Sequence, residues 1–568
     1  MTMLDFPRRP WLASYPATSD WSAPLPPEPV TAAIDRAVAE FPDRPAVDFL
    51  GKTCTYARLG ELVARAARGL RGLGVEKGTR VGILLPNTPY YVVLYHAVLR
   101  LGGIVVNLNP LYAEEEIRRT LRDSGTTVVA TLDLTLTLPK LVKSIAGTKV
   151  EKVVVCSMAA ALPTSTGLLF RLLKRSEIAA VPSGEMFVTF AALIDNHGDP
   201  TPVAIDPVRD VAVLQYTGGT TGVPKGAMLT HANLTVNRDQ VLRWYPSLRR
   251  GEERILGVLP LFHVFAMTVV MNFAIGCAAE MILLPRFQLA QVLKTIGRKR
   301  PTLFPVVPTL LNALNHDPQT RKHDLSSLRC CISGGAPLPA EVKQTFEDLT
   351  GCVVVEGYGL SEASPVVTCN PPEGKNKAGS IGLPLPGTTV EIRALDGSGR
   401  ALPPGELGEI CARGPQVMAG YWERPEETAS VLDNGLLRTG DVGYMDEEGY
   451  IFLVDRLKDV VVVNGYKVYP RMGEEAIYRH PAVAEVTVIG VPDPDHGQIA
   501  KAFVRLKEGA ALTDAELHAF LADKLSPIEQ PREIEFRAEL PKTMIGKLSK
   551  KELLAEELAK RLPERSAA

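Results

Sequence analysis

The sequence lacks the features that mark several large classes of protein. Its eight cysteines form no Cys-x-x-Cys pair and no metal-like spacing, which indicates reduced, mostly buried thiols of a cytoplasmic protein. The formal net charge is only −1, so the chain as a whole has no attraction for nucleic acid, and we expect no nucleic-acid partner. The N-terminal stretch lacks the basic and apolar regions of a signal peptide, which also favours a cytoplasmic location.

No uninterrupted apolar run is long enough for a membrane-spanning helix. The nearest candidate, residues 255–279, contains no Asp, Glu, Lys or Arg, but Pro260 and His263 interrupt it. A span needs about 20 continuous apolar residues. We therefore interpret this segment as a strand followed by a helix in a buried core.

Short β-branched runs alternate with helical patterns through most of the 568 residues. Runs such as "RVGILLPN", "IVVNLNP", "TLFPVVP" and "CVVVEGYG" predict an α/β architecture with parallel strands, and the turn-rich stretch "TTVEIRALDGSGRALPPGELGEICARG" predicts a small β subdomain. Near the C-terminus, "VVVVNGYKVYP" reads as a strand and "EEAIYRHPAV" as a helix. Because the chain is too long for one core, we expect an N-terminal domain at residues 1–457 and a smaller α+β domain at 458–568.

The stretch "YTGGTTGVPKGAMLTH", residues 216–231, is rich in glycine and threonine. Its glycines leave backbone N–H groups accessible, its threonine hydroxyls add donors, and Lys225 supplies a positive charge, so a loop of this kind after a strand suits phosphate. It is not a Walker A motif, because a proline precedes the lysine and a glycine follows it. A P-loop kinase or ATPase is therefore disfavoured, and a turn that merely connects two elements is the alternative.

Seven stretches, in order, resemble the signatures of the adenylate-forming superfamily of acyl-CoA synthetases, luciferases and peptide-synthetase adenylation domains. They are the loop above, "LPLFHVFAM", "SGGAPLP", "EGYGLSEASP", "TGD", "DRLKD" and "PKTMIGK". The match runs from about Ala46 to Leu553 and is most similar to bacterial medium- to long-chain fatty-acid–CoA ligases. The resemblance implies a large N-terminal domain of several subdomains and a smaller mobile C-terminal domain.

The activity implied by the resemblance is ATP-dependent conversion of a fatty acid to acyl-adenylate, followed by transfer to coenzyme A. The products are acyl-CoA, AMP and pyrophosphate, and Mg²⁺ is the implied metal. A fatty acyl-AMP ligase that loads a carrier protein and a non-catalytic acyl or nucleotide binder on the same scaffold remain alternatives.

The resemblance also implies residue roles: adenine stacking by Tyr358, acceptance of the ribose hydroxyl protons by Asp441, and charge neutralisation between carboxylate and α-phosphate by Lys547. The implied catalytic residues are Lys547, His263, Thr220 and Glu362, the last two also being the metal ligands. The implied ATP and AMP contacts are Thr217, Gly218, Gly219, Thr220, Thr221, Gly222, Lys225, Gly335, Ala336, Pro337, Glu356, Gly357, Tyr358, Gly359, Ser361, Asp441 and Arg456. The implied acyl pocket is His263, Met267, Val307 and Gly334, with a hinge at Lys458 and a coenzyme A side at Gly465 and Lys467.

One stretch departs from the family pattern. Where the family reads Pro-x-Glu-(Val/Ile)-Glu at the start of the small domain's first helix, this chain reads "YPRMGEEAI", with Met472 and Gly473 in place of the Glu and the β-branched residue. Because glycine in a helix costs about 1 kcal/mol relative to alanine, we expect a less stable small domain and an impaired thioester step.

The segment "GLLFRLLKRSE", residues 167–177, carries a hypothesis of peripheral contact with the inner face of a membrane. Its leucines can share one helical face beside Arg171, Lys174 and Arg175. The alternative is an ordinary amphipathic helix packed on the core. The sequence does not decide the oligomeric state, for which we keep a homodimer as a hypothesis, and regulatory acylation of Lys547 is a further hypothesis.

Overall fold

The protein is described here by a computed structural model that covers residues 9–198, 201, 203–217, 224–464, 466–543 and 547–561. The strands, numbered in chain order, are β1 Pro45–Phe49, β2 Lys52–Thr55, β3 Arg80–Leu84, β4 Ile104–Asn107, β5 Val128–Leu132, β6 Lys152–Cys156, β7 Phe187–Thr189, β8 Val211–Thr217, β9 Lys225–Thr230, β10 Arg254–Gly257, β11 Glu280–Leu283, β12 Leu303–Val306, β13 Cys330–Gly334, β14 Val353–Gly359, β15 Val366–Cys369, β16 Leu383–Pro384, β17 Thr389–Arg393, β18 Gly408–Arg413, β19 Leu432–Asp433, β20 Leu436–Met445, β21 Ile451–Arg456, β22 Val461–Val463, β23 Tyr466–Val468, β24 Val483–Asp493, β25 Gly497–Leu506 and β26 Glu533–Phe536.

The helices surround these strands. They are α1 Thr31–Glu40, α2 Tyr56–Gly72, α3 Pro89–Arg100, α4 Glu114–Ser124, α5 Leu138–Ser144, α6 Met158–Ala161, α7 Thr164–Leu173, α8 Phe190–Leu193, α9 His231–Arg243, α10 Val264–Ala266, α11 Phe273–Gly276, α12 Leu289–Lys299, α13 Pro308–His316, α14 Ala340–Thr350, α15 Pro425–Val431, α16 Pro470–Tyr478, α17 Asp514–Leu521 and α18 Lys550–Arg561.

Two large sheets form the body of the N-terminal domain. One has the order β7-β6-β5-β3-β4-β8-β9 and the other β16-β15-β14-β13-β12-β10-β11-β1-β2. Neighbouring strands are parallel except at the sheet ends, where β8–β9, β1–β2, β14–β15 and β15–β16 are antiparallel. Strands such as β4 and β5 are buried along their whole length, because helices cover both faces of a parallel sheet. The predicted α/β class is confirmed.

The apolar segment before β11 folds as the sequence predicts. It forms β10 and then, after a turn, a buried helical stretch of α10, a π-helix at Met267–Asn272 and α11. In the described part of the chain no helix is both long enough and apolar enough to cross a membrane. All eight cysteines are free thiols, seven of them buried, as predicted.

The predicted β subdomain is the third sheet, with the order β17-β18-β20-β19 and β21 paired to β20. Directly after β21, a turn leads into the smaller C-terminal domain. That domain has its own sheet, β23-β22-β25-β24 with β26 paired to β25, and its own apolar core around Ile477, Val486 and Leu517. The boundary between residues 457 and 458 stays a prediction.

The prediction of one continuous strand for "VVVVNGYKVYP" is wrong. The segment forms two antiparallel strands, β22 and β23, in which Val463 pairs with Tyr466. The turn passes through Asn464, whose φ is +50°. Asn-Gly between apolar runs is a strong hairpin signal because both residues tolerate the left-handed region, and this signal was present in the sequence.

Helix α16 forms despite the departure from the family pattern. It begins at Pro470, a favoured first helical position because proline lacks only an N–H that the helix leaves unbonded. Its Glu474 carboxylate accepts a hydrogen bond of 2.9 Å from the Val488 N–H and lies 2.9 Å from Lys550 Nζ, which ties the helix to β24 and α18. The expected effect of Met472 and Gly473 on stability stays a prediction.

Candidate active site

The buried Asp441 carboxylate joins two other residues predicted for the nucleotide site. Asp441 on β20 faces Arg456 on β21 across the antiparallel pair, and Arg456 Nε donates a hydrogen bond of 2.9 Å to Asp441 Oδ1. The Tyr358 hydroxyl on β14 donates to Asp441 Oδ2 at 2.5 Å. Burial and then the Asp441 charge raise the pKa of Tyr358 well above its usual value, so this hydroxyl stays a donor. Residues from three separate motifs therefore meet, and the carboxylate keeps lone pairs that suit ribose hydroxyls.

The loop at residues 335–337 is held by a buried carboxyl group. It begins with Gly335, whose φ of +81° favours glycine. Just after the loop, the Leu338 N–H donates to Glu356 Oε1 at 3.1 Å. Burial raises the pKa of Glu356 to about 7, against the opposing charge of Arg471 from the smaller domain. Glu356 thus lies beneath the predicted adenine wall, at a point where the two domains meet.

The end of β14 is shaped by glycine and leads to the predicted metal ligand. Gly357 and Gly359 lie within this strand, and a Cβ on Gly359 would lie 2.1 Å from the Pro365 carbonyl oxygen, so only glycine fits. A 3₁₀-helix at Ser361–Ala363 follows and places Glu362 at the edge of the site.

The base of the predicted phosphate loop is an antiparallel hairpin. Thr217 at the end of β8 pairs directly with Lys225 at the start of β9, so both residues lie at the mouth of the loop. The phosphate-loop residues predicted between these two positions lie outside the described residues. They are Gly218, Gly219, Thr220, Thr221 and Gly222, and Thr220 is one of the two predicted metal ligands.

Tyr421 joins this hairpin to Glu362, and sequence reasoning missed it. The Trp422 N–H bonds to the Gly226 carbonyl at 2.8 Å, which lays the 419–422 segment along β9. The Tyr421 hydroxyl donates to Glu362 Oε1 at 2.7 Å, and Lys225 Nζ lies 5.3 Å from the centre of its ring. The only sequence signal is the aromatic pair in "AGYWERP", which does not reveal its partner.

Lys547 reaches the large domain from the smaller one. A Cβ on Gly335 would lie 2.9 Å from Lys547 Cε, 3.4 Å from its Nζ and 3.9 Å from Val307 Cγ1. Burial and then the Arg456 charge lower the pKa of Lys547 to about 8, while Asp441 opposes the shift. The last motif of the sequence therefore places an ammonium group over the 335–337 loop and beside the nucleotide residues.

His263, predicted for the mouth of the acyl pocket, is a neutral group. It caps α10, and its Nδ1 accepts a hydrogen bond of 3.3 Å from the Phe265 N–H. Burial, followed by the Lys547 charge, lowers the pKa of His263 to about 3. His263 therefore adds no second positive charge beside Lys547.

The other predicted acyl-pocket residues lie in the adjoining core. Met267 is fully buried at the start of the π-helix, with its Sδ 3.5 Å from Asn107 Nδ2, and Val307 is buried at the start of α13. A Cβ on Gly334 would lie 3.0 Å from Phe265 Cζ. The Phe265 ring therefore covers this glycine, a contact that the sequence did not reveal.

The predicted hinge residue and one residue of the predicted coenzyme A side are exposed on the smaller domain's first segments. Lys458 is exposed in the turn between β21 and β22, and Lys467 is exposed on the edge strand β23. Gly465 lies outside the described residues. These three assignments stay predictions.

Comparisons with known proteins identify the family to which the chain is similar. Residues 34–422 match the family described as AMP-binding enzyme, and residues 473–547 match the AMP-binding enzyme C-terminal domain. The chain is 45% identical to a long-chain-fatty-acid–CoA ligase of Bacillus subtilis (strain 168), over 97% of this chain and 98% of the relative. It is 38% identical to a protein of the same name from Escherichia coli O157:H7, over 96% and 97%.

Solved structures share the fold over nearly the whole chain. The anthranilate CoA ligase AuaEII in complex with anthranoyl-AMP has a TM-score of 0.83 at 27% identity, covering 95% of this chain and 98% of that one. A benzoate CoA ligase from Burkholderia xenovorans LB400 has a TM-score of 0.80 at 26% identity, covering 93% and 100%.

Proposed function

Because the chain belongs to the AMP-binding enzyme family, we infer that it is an ATP-dependent fatty-acid–CoA ligase. It activates a fatty acid to an acyl-adenylate and transfers the acyl group to coenzyme A. The fatty acyl-AMP ligase alternative is not favoured, since relatives from several species, at 36–45% identity over nearly the full chain, are named long-chain-fatty-acid–CoA ligases.

The chemistry proceeds in two displacements. A carboxylate oxygen of the fatty acid attacks the α-phosphorus of ATP, and the bond to the pyrophosphate leaving group breaks. The coenzyme A thiol then attacks the acyl carbon, loses its proton, and AMP leaves with the electron pair of the broken bond. The first step brings two anions together, so the site must supply positive charge and oriented donors.

The position of Lys547 carries our assignment of the adenylation site. Its ammonium group lies over Gly335 and next to Arg456 and Asp441, where a carboxylate and an α-phosphate would meet above a nucleotide held by Asp441 and Tyr358. At neutral pH a lysine with a pKa of about 8 is still mostly protonated. We propose that Lys547 offsets the charge of both reacting anions.

We propose that Thr220 and Glu362 hold Mg²⁺ against the ATP phosphates. A hydroxyl and a carboxylate are the oxygen ligands that this hard cation prefers. Tyr421 would orient Glu362 through their 2.7 Å hydrogen bond, and Lys225 at the hairpin base would add a second cation. Mg²⁺, when bound, would neutralise phosphate charge.

For the second displacement we propose rotation of the smaller domain about Lys458. Lys458 lies in an exposed turn between the last strand of the large domain and the first strand of the small one, a typical place for a hinge. Rotation would withdraw Lys547 and bring the β22–β23 hairpin, with Gly465 and Lys467, towards coenzyme A.

The two half-reactions of Lys547→Ala test this proposal. Pyrophosphate release should fall about 10²–10³-fold, the loss expected for one charge-stabilising donor, while thioester formation from supplied acyl-AMP changes little. Lys551→Ala is the matched control, because Lys551 is exposed on α18 of the same domain and should leave both steps unchanged. Equal losses in both steps for Lys547→Ala would refute the division of labour. Mass analysis of the product with and without coenzyme A shows whether coenzyme A accepts the acyl group.

Three further points stay proposals. The eight free thiols support a cytoplasmic location. Acylation of Lys547 would switch off adenylation by removing its charge. The homodimer stays a prediction.

A further inference from the structure

Helix α7 turns its most apolar face to solvent. Its packed side is formed by Phe170, which contacts the core, and by Gly167, where a Cβ would lie 2.3 Å from the Ala159 carbonyl oxygen. Four leucines on the helix are 53–71% exposed. They are Leu168, Leu169, Leu172 and Leu173.

Helical geometry places these leucines opposite the packed side. At 100° per residue they span an arc of about 140°, and the directions of Phe170 and Gly167 lie on the far side of the helix axis. An amphipathic helix packed on the core would show the reverse arrangement, so the alternative left open by the sequence does not hold.

A second segment adds to the same surface. Leu136, in the loop after β5, is 74% exposed, and its neighbour Thr135 donates a backbone hydrogen bond of 2.9 Å to the Glu177 carbonyl just beyond α7. Among the described residues, eight large apolar side chains are more than half exposed, and five of them belong to Leu136 and α7. This concentration distinguishes the surface from the scattered apolar residues that any protein exposes.

The charges beside the leucines are mainly positive. Residues 164–177 contain three basic side chains and one acidic one, whereas the whole chain is nearly neutral. Arg171 and Arg175 are exposed, and the single acid, Glu177, forms an exposed ion pair of 2.7 Å with Lys174, a contact of small energetic weight.

We propose that α7, together with Leu136, docks the enzyme on an anionic lipid bilayer, the leucines entering the acyl boundary and the basic side chains contacting phosphate headgroups. Leucines on one side of a helix with flanking cations are the chemistry of an interfacial helix. A dimer is a poorer fit, because one helix about 15 Å long offers far less surface than the roughly 800 Å² per partner of a standard interface. The inference rests on the proposed function, in which a fatty acid that itself partitions into bilayers is the substrate.

Co-sedimentation of the full chain with vesicles tests the proposal. The wild type should bind phosphatidylglycerol-containing vesicles and bind pure phosphatidylcholine vesicles more weakly. Leu169→Glu with Leu172→Glu should reduce the bound fraction at least tenfold. The matched control is Leu111→Glu with Val208→Glu, since both residues are at least 60% exposed elsewhere on the protein and should not affect binding.

A variant without the basic side chains tests the proposed contact with phosphate headgroups. Arg171→Gln, Lys174→Gln and Arg175→Gln together should weaken binding to the anionic vesicles by about fivefold per charge, with little effect on neutral ones. Thermal unfolding checks that each variant is folded, and all substituted side chains are exposed.

The proposal would be overturned by wild-type protein that does not bind vesicles, or by control and α7 variants that lose binding equally. A wild-type dimer that the α7 leucine variant converts to monomer would also overturn it, by assigning the surface to a second copy. Acyl-CoA formation from fatty acid supplied in solution should be the same for all variants. A failed docking hypothesis is thereby separable from a failed ligase assignment, which would show as lost activity in the wild type.

Discussion

Replacing Glu356 by Gln should change how stability depends on pH. Glu356 is 5% exposed, and burial raises its pKa from the ordinary 4.5 to about 7, with the charge of Arg471 opposing. Between these two pH values the folded chain keeps a proton that the unfolded chain has released. Folding is therefore progressively penalised as pH rises through this window, and the full penalty persists above about pH 7.

The size of the effect follows from the shift in pKa. The pKa of Glu356 is about 2.5 higher in the folded chain, and at about 1.4 kcal/mol per pKa unit the penalty on folding is roughly 3 kcal/mol. This penalty is absent below pH 4.5 and complete above pH 7. A Gln side chain does not ionise, yet its carbonyl can still accept from the Leu338 N–H. Its buried amide adds a penalty of about 1–3 kcal/mol, but that penalty is independent of pH.

The test is the difference in melting temperature between Glu356→Gln and the wild type from pH 5 to pH 8. The melting temperature of the variant minus that of the wild type should rise by roughly 2–3 °C from pH 5 to pH 8, given the unfolding entropy of a chain of this size. Parallel profiles for the two proteins would refute the reasoning. Arg471→Gln should raise the pKa of Glu356 further and so extend the upper end of this pH window, because it removes the cation that opposes the shift.

Glu253→Gln is a control in which the stability difference from the wild type should change with pH in the opposite direction. Glu253 is as deeply buried, but although burial disfavours its charge, hydrogen bonds from Arg329 and Thr302 hold its pKa below the ordinary value. Its contribution is present above the unfolded pKa and is lost as pH falls through the folded one. The loss of stability in Glu253→Gln should therefore be largest at neutral pH and shrink towards acid.

Three further substitutions test the site and the small domain. Gly473→Ala should stabilise the chain by about 1 kcal/mol, because the new Cβ would meet only Val488 Cγ2, at 3.6 Å; unchanged or lower melting would show that α16 needs its glycine. Gly335→Ala should slow pyrophosphate release about 10–100-fold by displacing Lys547 and straining a φ of +81°, and unaffected release would contradict the position assigned to Lys547. Tyr421→Phe should raise the Mg²⁺ concentration for half-maximal adenylation about tenfold, a shift not expected if its bond to Glu362 is only structural.

The fold class and the identity of the motifs were open to sequence reasoning because they depend on local patterns. Short β-branched runs separated by helical stretches predicted the parallel strands, as β12, β13 and β14 show, and the apolar segment before β11 was rightly placed in the core because Pro260 breaks it. The misread β22–β23 hairpin carried a recognisable Asn-Gly signal, and the helix predicted over "EEAIYRHPAV" ends at Tyr478, with Val483 already in β24.

The partners within the site were decided only by the tertiary structure. Nothing local indicates that Tyr421 will bond Glu362, 59 positions away in the chain, or that Phe265 will cover Gly334. Likewise, the pKa of Glu356 depends on burial beneath one loop and on a cation from another domain.

Helix α7 shows both what the sequence predicted and what depended on the tertiary structure. Its 3.6-residue period assigned four leucines to one face, but a period does not say whether that face points inward or outward. The direction is set by Gly167 and Phe170, whose close contacts with Ala159 and the core leave the leucines no side but the solvent. Periodicity is a property of the chain alone, whereas orientation depends on what the rest of the chain packs against.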